Sequence, residues 1–262
     1  MLLTAVFLLW PSKKMQTVII TGGRRGIGAE IALRFLEAGY NVLIGARNKS
    51  DLAEKNHEKL KFQKMDVRIE SEHEDLIKRA LDWSESVNCY INCAGFSRWS
   101  SIVDVDENFW DEILDTNLKG AFWGCKVAAK HLHYGGTIIN VSSLAGKRGS
   151  ANNSVYCAAK FGLNGITQSL AKELGPKNIR VNAVCPVYVE TPGLLEALNN
   201  PVAPPKGKLN AKYLKEFASS NAALQRLPKG SEVADLCFYL STPMASAITG
   251  QCINVDCGVL PQ

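Results

Sequence analysis

Gln16–Gly28 reads QTVIITGGRRGIG. Its first part, Gln16 to Thr21, is a short β-branched run that predicts a buried strand. Its second part, TGGRRGIG, sets Gly22, Gly23, Gly26 and Gly28 directly after that strand and at the start of an amphipathic stretch. Glycines there permit a sharp turn and a close backbone approach to a pyrophosphate. The following helix N-terminus adds free N–H groups and a partial positive charge. Gly22, Arg24, Arg25, Gly26, Ile27 and Gly28 are therefore candidates to hold the phosphates of a dinucleotide. The spacing is G-x-x-x-G-x-G rather than the common G-x-G-x-x-G. The position between strand and helix carries the reading; the bland alternative is a tight turn that binds nothing.

Downstream the pattern alternates strand and helix. The first helix runs to about Ala38 and stops at Gly39, with Ile27, Ile31, Phe35 and Ala38 on its apolar face and Glu30, Arg34 and Glu37 opposite. Further strands are predicted at Asn41–Ile44, Lys61–Asp66, Tyr90–Asn92, Thr137–Ser142, Arg180–Cys185 and Cys252–Asp256. Ser71 with Glu74 reads as a capping box opening a helix through about Trp83. A long helix is predicted around residues 106–130, in one piece or two, and another over Ser154–Leu174, ended by Gly175-Pro176. Strands separated by helices of this length imply right-handed crossovers. The predicted fold is α/β: a single-domain, doubly wound parallel sheet with helices on both faces.

Two segments depart from the alternation. Residues 191–230 contain NNPVAPPKGK, rich in Pro and Gly, with no core signal; a long insertion there reads as a lid. MLLTAVFLLW at the N-terminus is apolar for only ten residues, too few for a membrane-spanning helix, which needs about 20. Its positive charge follows the apolar run, unlike a signal peptide. Residues 1–14 are read as an extension outside the fold, from a start codon placed too early, with a disordered arm or a weak membrane-surface contact as the alternatives, and residues 15–262 as one catalytic domain.

The whole chain has 262 residues, 46% of them hydrophobic, enough for a large core and too apolar for disorder. Thirty basic against 25 acidic side chains leave a net charge of only +5. That mild surplus points to no nucleic-acid partner. Eight cysteines without a CxxC pair read as reduced thiols of a cytoplasmic protein, with no metal site.

The second strand ends in Gly45-Ala46-Arg47-Asn48, with no acidic residue until Asp51 to bond the 2′-hydroxyl of NAD. Arg47 stands there instead, with Arg24 and Arg25 in the first turn. A guanidinium fork suits a 2′-phosphate, so NADP(H) is favoured over NAD(H). Tyr156 and Lys160, in YCAAK, are four apart and share a helix face. Ser143 follows a strand in NVSS, at the sheet edge where the glycine turn also lies. A phenol near neutral pH must fall roughly 3 units from about 10, and a lysine ammonium one turn away moves it that way.

Taken together, TGGRRGIG, Asp66-Val67, NCAG (Asn92 to Gly95), TNLKG (Thr116 to Gly120), NVSS, YCAAK, VNAVCP ending at Pro186 and ITGQCINVD (Ile248 to Asp256) resemble the short-chain dehydrogenase/reductase family, in its short single-domain branch. The resemblance covers Gln16 to Val259. It implies a seven-stranded Rossmann sheet and an active site of Asn117, Ser143, Tyr156 and Lys160. By resemblance, Tyr156 exchanges the proton with the carbonyl oxygen, Ser143 bonds that oxygen, Lys160 holds the nicotinamide ribose and Asn117 holds a relay water. Asp66 and Val67 should meet the adenine. Asn92, Ala94 and Gly95 should line the cofactor trough, with Pro186, Val189 and Thr191 at its nicotinamide end. The expected reaction interconverts a carbonyl and a secondary alcohol with NADP(H), on a small-molecule substrate of the 3-oxoacyl-carrier-protein type. A sugar or surface-glycan oxidoreductase is the runner-up. A dinucleotide-binding regulatory protein without turnover is the reading from another class, and the intact Ser-Tyr-Lys-Asn set argues against it. Specificity should lie in 96–100, 145–153 and 191–221. A homotetramer, or at least a dimer, is expected, with Gly162 and Gly165 allowing close approach of helices across a two-fold axis. Two positions depart from the family pattern: Val187 where Gly usually follows Pro186, and Cys257-Gly258 for Gly-Gly.

Overall fold

The computed structural model describes residues 16–49, 57–84 and 86–261. The extension 1–14 lies outside them. Seven strands form the sheet: β1 (Thr17–Thr21), β2 (Asn41–Ala46), β3 (Leu60–Lys64), β4 (Cys89–Asn92), β5 (Thr137–Val141), β6 (Arg180–Pro186) and β7 (Cys252–Val255). Their order is β3-β2-β1-β4-β5-β6-β7, and every neighbouring pair is parallel. The expected strands are all present, with ends shifted by one or two residues. After β3 the chain crosses back over β1 to lay down β4 on its other side. The order therefore reverses between β1 and β4, and a crevice opens beyond their carboxyl ends.

The described helices are α1 (Gly26–Glu37), α2 (Glu70–Ser84), α3 (Glu107–Leu114), α4 (Gly120–His131), α5 (Ser154–Leu174), α6 (Pro192–Leu198), α7 (Asn210–Asn221) and α8 (Gly230–Ser241). Strand side chains alternate between two cores. Val18 and Ile20 of β1 meet Ile31 and Phe35 of α1 and Val233 and Leu240 of α8. Ile19 points the other way, into Leu76, Ile77, Val127 and Leu174 of α2, α4 and α5. Each such fully buried aliphatic side chain contributes roughly 1.5–3 kcal/mol of transfer free energy.

Three local expectations are corrected, and the choice between one helix and two over 106–130 is resolved. On α1, Leu36 is buried and Ala38 exposed. Its charged side is also in contact, since Arg34 bonds Asp235 of α8 at 2.7 Å and stacks on Phe238. The Ser71–Glu74 box does not cap α2, which begins at Glu70. Glu74 instead accepts from Lys130 and pairs with His131 on α4. The helix over 106–130 is two pieces, α3 and α4, joined by a π-helical turn at Asp115–Lys119. Finally, 191–230 is not without a core. Leu198, Ala203 and Leu214 pack with Trp99, flanked by Tyr188, Leu194 and Tyr213. The apolar residues of α6 and α7 recur at helical spacing on either side of the Pro-rich link, which masked them.

Candidate active site

The loops at the carboxyl ends of the strands enclose one large cleft of about 940 Å³. Its floor at one end is the turn between β1 and α1. Gly22 has φ +73° and Gly26 φ +57°, left-handed values that suit glycine. A Cβ on Gly22 would stand 2.6 Å from Ala94 Cα, and one on Gly28 2.4 Å from the Gly22 carbonyl oxygen. The turn is thus packed to its backbone. Arg25, the residue capping α1, makes no side-chain cap bond, and the first turn carries no acidic residue. The N–H groups and positive end of α1 are left for a ligand anion. Uncapped donors, a glycine cradle and flanking arginines fit the pyrophosphate of a nicotinamide dinucleotide.

Gly22, Arg24, Arg25, Gly26, Ile27, Gly28, Arg47, Asp66, Val67, Ala94, Gly95, Pro186, Val189 and Thr191 all line this cleft. Asn92 does not. It is buried beneath the cleft, where Nδ2 donates to Asn140 Oδ1 at 2.9 Å, and Asn140 in turn donates to Thr167 Oγ1 at 2.9 Å. The alternation of β4 turns Asn92 into the sheet-to-helix layer, against Gly124.

Three cofactor-side groups have partners that local sequence could not reveal. Arg25 reaches α6, where Nη1 and Nη2 donate to Glu196 Oε1 and Oε2 at 2.7 and 2.9 Å. It latches the 191–230 segment onto the glycine turn. Asp66 is gripped by Arg68, whose Nε donates to both carboxylate oxygens at 3.0 Å. That guanidinium holds the Asp66 carboxyl below the usual range. Arg68, unremarked in the sequence, thus joins Arg47 at this end. Thr191 Oγ1 accepts from Leu194 N–H at 3.2 Å and caps α6, which leaves its hydroxyl proton free to donate.

At the other end, Ser143, Tyr156 and Lys160 line the cleft together. Ser143 Oγ accepts from Ala145 N–H at 3.1 Å and bonds the Tyr156 hydroxyl. Ser142 is buried, and its Oγ donates to the Lys160 carbonyl. Lys160 Nζ donates to the Val141 carbonyl at 3.0 Å and lies 5.6 Å from the centre of the Tyr156 ring. Asn117 sits on the π-helical turn, buried. Its Nδ2 donates to the carbonyls of Phe96 (2.9 Å) and Ile113 (3.0 Å), and its Oδ1 accepts from Phe96 N–H at 3.1 Å. Its side chain therefore ties the β4 loop to the helix break.

The expected direction of the Tyr156 shift is corrected. Burial pushes the phenol up to about 12, opposed only by its bond to Ser143. Burial pulls Lys160 down to about 8. Desolvation is the largest cause for both groups. At neutral pH these residues present a protonated phenol beside a lysine cation.

The departures from the family pattern are legible too. Val187 lines the cleft and packs beside Phe217 and Ala222. Cys257 takes φ +53°, a left-handed conformation that glycine would adopt without strain. All eight cysteines are free, and Cys93, Cys252 and Cys257 are only half-buried. Among the described residues no helix is long and apolar enough to cross a membrane.

Comparison with known proteins gives a concordant result. The family described as Enoyl-(Acyl carrier protein) reductase matches residues 22–260. The chain is 32% identical to 3-oxoacyl-(acyl-carrier-protein) reductase of Chlamydia muridarum over 256 residues, 93% of this chain and 97% of that one. The corresponding reductase of Staphylococcus aureus is also 32% identical, over 94% of this chain and 99% of that one. Among solved structures, an actinorhodin polyketide ketoreductase with NADPH aligns with TM-score 0.85 and 29% identity, over 95% of this chain and 98% of that one. The ligand-free aldohexose dehydrogenase of Thermoplasma acidophilum aligns with TM-score 0.83 and 28% identity, over the same shares.

Proposed function

This chain belongs to the short-chain dehydrogenase/reductase family and is an NAD(P)-dependent oxidoreductase, and from that premise we propose that it reduces a 3-oxoacyl-type carbonyl to a secondary alcohol with NADPH. The observation that carries the reading is the Ser143–Tyr156 pair, held beside Lys160 in the same cleft as the uncapped N-terminus of α1. When bound, the dinucleotide supplies the hydride. The chain's own residues handle the proton. Ser143 orients the carbonyl oxygen and Tyr156, a neutral phenol at neutral pH, donates its proton to that oxygen as charge develops there. A phenol that is protonated at neutral pH is able to donate to that oxygen. Lys160 holds the ribose, and Asn117 acts as a positioning residue that fixes the Phe96 loop at the cleft wall. A relay water at Asn117 belongs to this proposal as well.

The Lys160 ammonium gives the pH dependence its sign. A lysine lowered to about 8 is charged below that pH and neutral above it. The kcat/KM for NADPH, which reports groups of the free enzyme, is expected to be level in mildly acidic buffer and to fall as pH rises through about 8. A profile that stays level for more than a unit above that value would remove Lys160 from dinucleotide capture.

NADP(H) is preferred over NAD(H) because Arg24 and Arg47 line the adenosine end without a bonded carboxylate among the described residues. Arg25 lines the same cleft and is paired with Glu196. A charge-assisted bond of about 1.5–3 kcal/mol makes Arg47→Ala cost roughly ten- to a hundred-fold in NADPH affinity, with little change for NADH. Arg47→Asp should invert the preference. Equal weakening of both cofactors would rule out the 2′-phosphate contact.

The protein assembles as a homotetramer or dimer through α4 and α5, on which Phe122 and Phe161 stand exposed. Gly165 leaves open surface there, whereas Gly162 is already covered by Leu118 of the same chain. The cytoplasm, where free thiols stay reduced, is the compartment this reading implies.

A further inference from the structure

β3 is an edge strand of the sheet, and its pairing with β2 ends just short of the cleft. The last backbone bond between them runs from the Met65 N–H to the Ala46 carbonyl at 3.0 Å. Asp66 and Val67 follow, outside the ladder, and both line the cleft near Arg47, the residue after β2. Backbone groups that leave a ladder while still buried need other partners. The start of α2 supplies them. Glu72 accepts from the Asp66 N–H, and His73 Nε2 lies 2.8 Å from the Val67 carbonyl oxygen. From the other side Gly120 lets α4 come close: a Cβ there would stand 2.8 Å from Val67 Cγ2 and 3.0 Å from the Val67 carbonyl oxygen.

Packing alone would not ask for a histidine at this place. His73 has no exposed surface, and neither has Tyr90 of β4, whose hydroxyl lies 2.7 Å from His73 Nδ1. Tyr90 belongs to the apolar core shared by α2, α4 and α5. The protons along this chain of bonds can be assigned. A carbonyl oxygen only accepts, so Nε2 carries the ring proton and donates it to Val67. Nδ1 is then the acceptor of a neutral imidazole, and the Tyr90 hydroxyl donates to it. Burial holds the ring below its ordinary value, which keeps it neutral at neutral pH. The Tyr90–His73–Val67 chain thus runs from the core to the cleft wall with each of its bonds made. An apolar side chain at 73 would leave the Val67 carbonyl without this donor.

We propose that His73 is a positioning residue for dinucleotide capture: its Nε2–H holds the Val67 carbonyl from beneath and so fixes the Asp66–Val67 wall against which the adenosine half of the dinucleotide lies. The inference rests on the placement of that half at Arg47 and Asp66–Val67, and adds a side chain that never reaches the ligand. Its signature is selective. Releasing Val67 weakens capture of the adenosine half and leaves Ser143, Tyr156 and Lys160, at the other end of the cleft, as they are. The bond from Tyr90 lies on the core side of the ring and serves stability.

The test separates the two bonds of this one ring. His73→Gln keeps an N–H donor at the reach of Nε2, His73→Met has the same length without a donor, and Tyr90→Phe removes only the bond on the core side. Each full-length variant is melted, titrated with ADP-ribose by calorimetry, and assayed for its KM for NADPH. His73→Met should weaken ADP-ribose binding and raise that KM by roughly two- to twelve-fold, the worth of one hydrogen bond, with kcat close to wild type. His73→Gln should bind close to wild type. Tyr90→Phe should melt lower and bind ADP-ribose unchanged. A methionine variant that melts lower yet binds ADP-ribose as wild type does would make His73 structural only. Equal losses in the Met and Gln variants, or a loss in Tyr90→Phe as large as in His73→Met, overturn the inference as well. Should the methionine variant not fold, His73→Asn, whose amide is too short to reach the Val67 carbonyl, takes its place in the same comparison. Wild-type protein that binds NADPH but not ADP-ribose overturns the placement of the adenosine half, and this inference with it; wild-type binding of both without the contrast at 73 overturns the role of His73 alone.

Discussion

Tyr156→Phe is expected to lower kcat for carbonyl reduction by about 10²- to 10⁴-fold, the usual contribution of a positioned general acid. The substitution removes one oxygen. That oxygen bonds Ser143 and is the proton donor in the proposed reaction. The ring itself remains on α5 beside Lys160. Loss should therefore fall on kcat, with the KM for NADPH and the melting temperature close to wild type. Wild-type turnover in this variant would exclude Tyr156 as the acid. A parallel loss of NADPH binding would mean that the hydroxyl serves the dinucleotide instead.

Gly22→Ala carries the second large effect, through the backbone. At φ +73° an L side chain is strained by roughly 1–2 kcal/mol. The new Cβ would also stand 2.6 and 2.7 Å from Ala94 Cα and N, which are backbone atoms and cannot rotate away. The turn between β1 and α1 must separate from the loop after β4, the two walls of the crevice. An overall loss of about 3 kcal/mol is expected, in the range of strained and overpacked sites. Dinucleotide affinity should fall with it, because the donors of α1 are carried on this turn. Urea unfolding and NADPH titration of the same sample check both. A variant as stable as wild type, with unchanged NADPH affinity, would show that the loops part without consequence.

The parts of this molecule that were legible in the sequence are those whose cause is local. TVII followed by TGGRRGIG needs only strand propensity and glycine geometry to be read as a strand, a turn and a helix start. Tyr156 and Lys160 are one helical turn apart, so their pairing on α5 follows from spacing. What the sequence could not show depends on distant partners. Glu196, which engages Arg25, lies 171 residues away, and nothing near Arg25 announces it. Asn92 sits in a motif of the family, yet the alternation of β4 turns its side chain toward Asn140 and away from the cleft. The helical spacing predicted a depressed Tyr156 phenol. Burial by residues from other elements reverses the sign, and burial is a property of the packed molecule.

The most direct test of the account is a single turnover of wild-type enzyme with NADPH deuterated at the reactive nicotinamide carbon and a 3-oxoacyl thioester, followed by mass analysis of the product. The account predicts a 3-hydroxyacyl product carrying one deuterium on the new carbinol carbon, with a matching loss of NADPH absorbance. Oxidation of NADPH without deuterium in the product, or an unreduced thioester beside unconsumed NADPH, would contradict it.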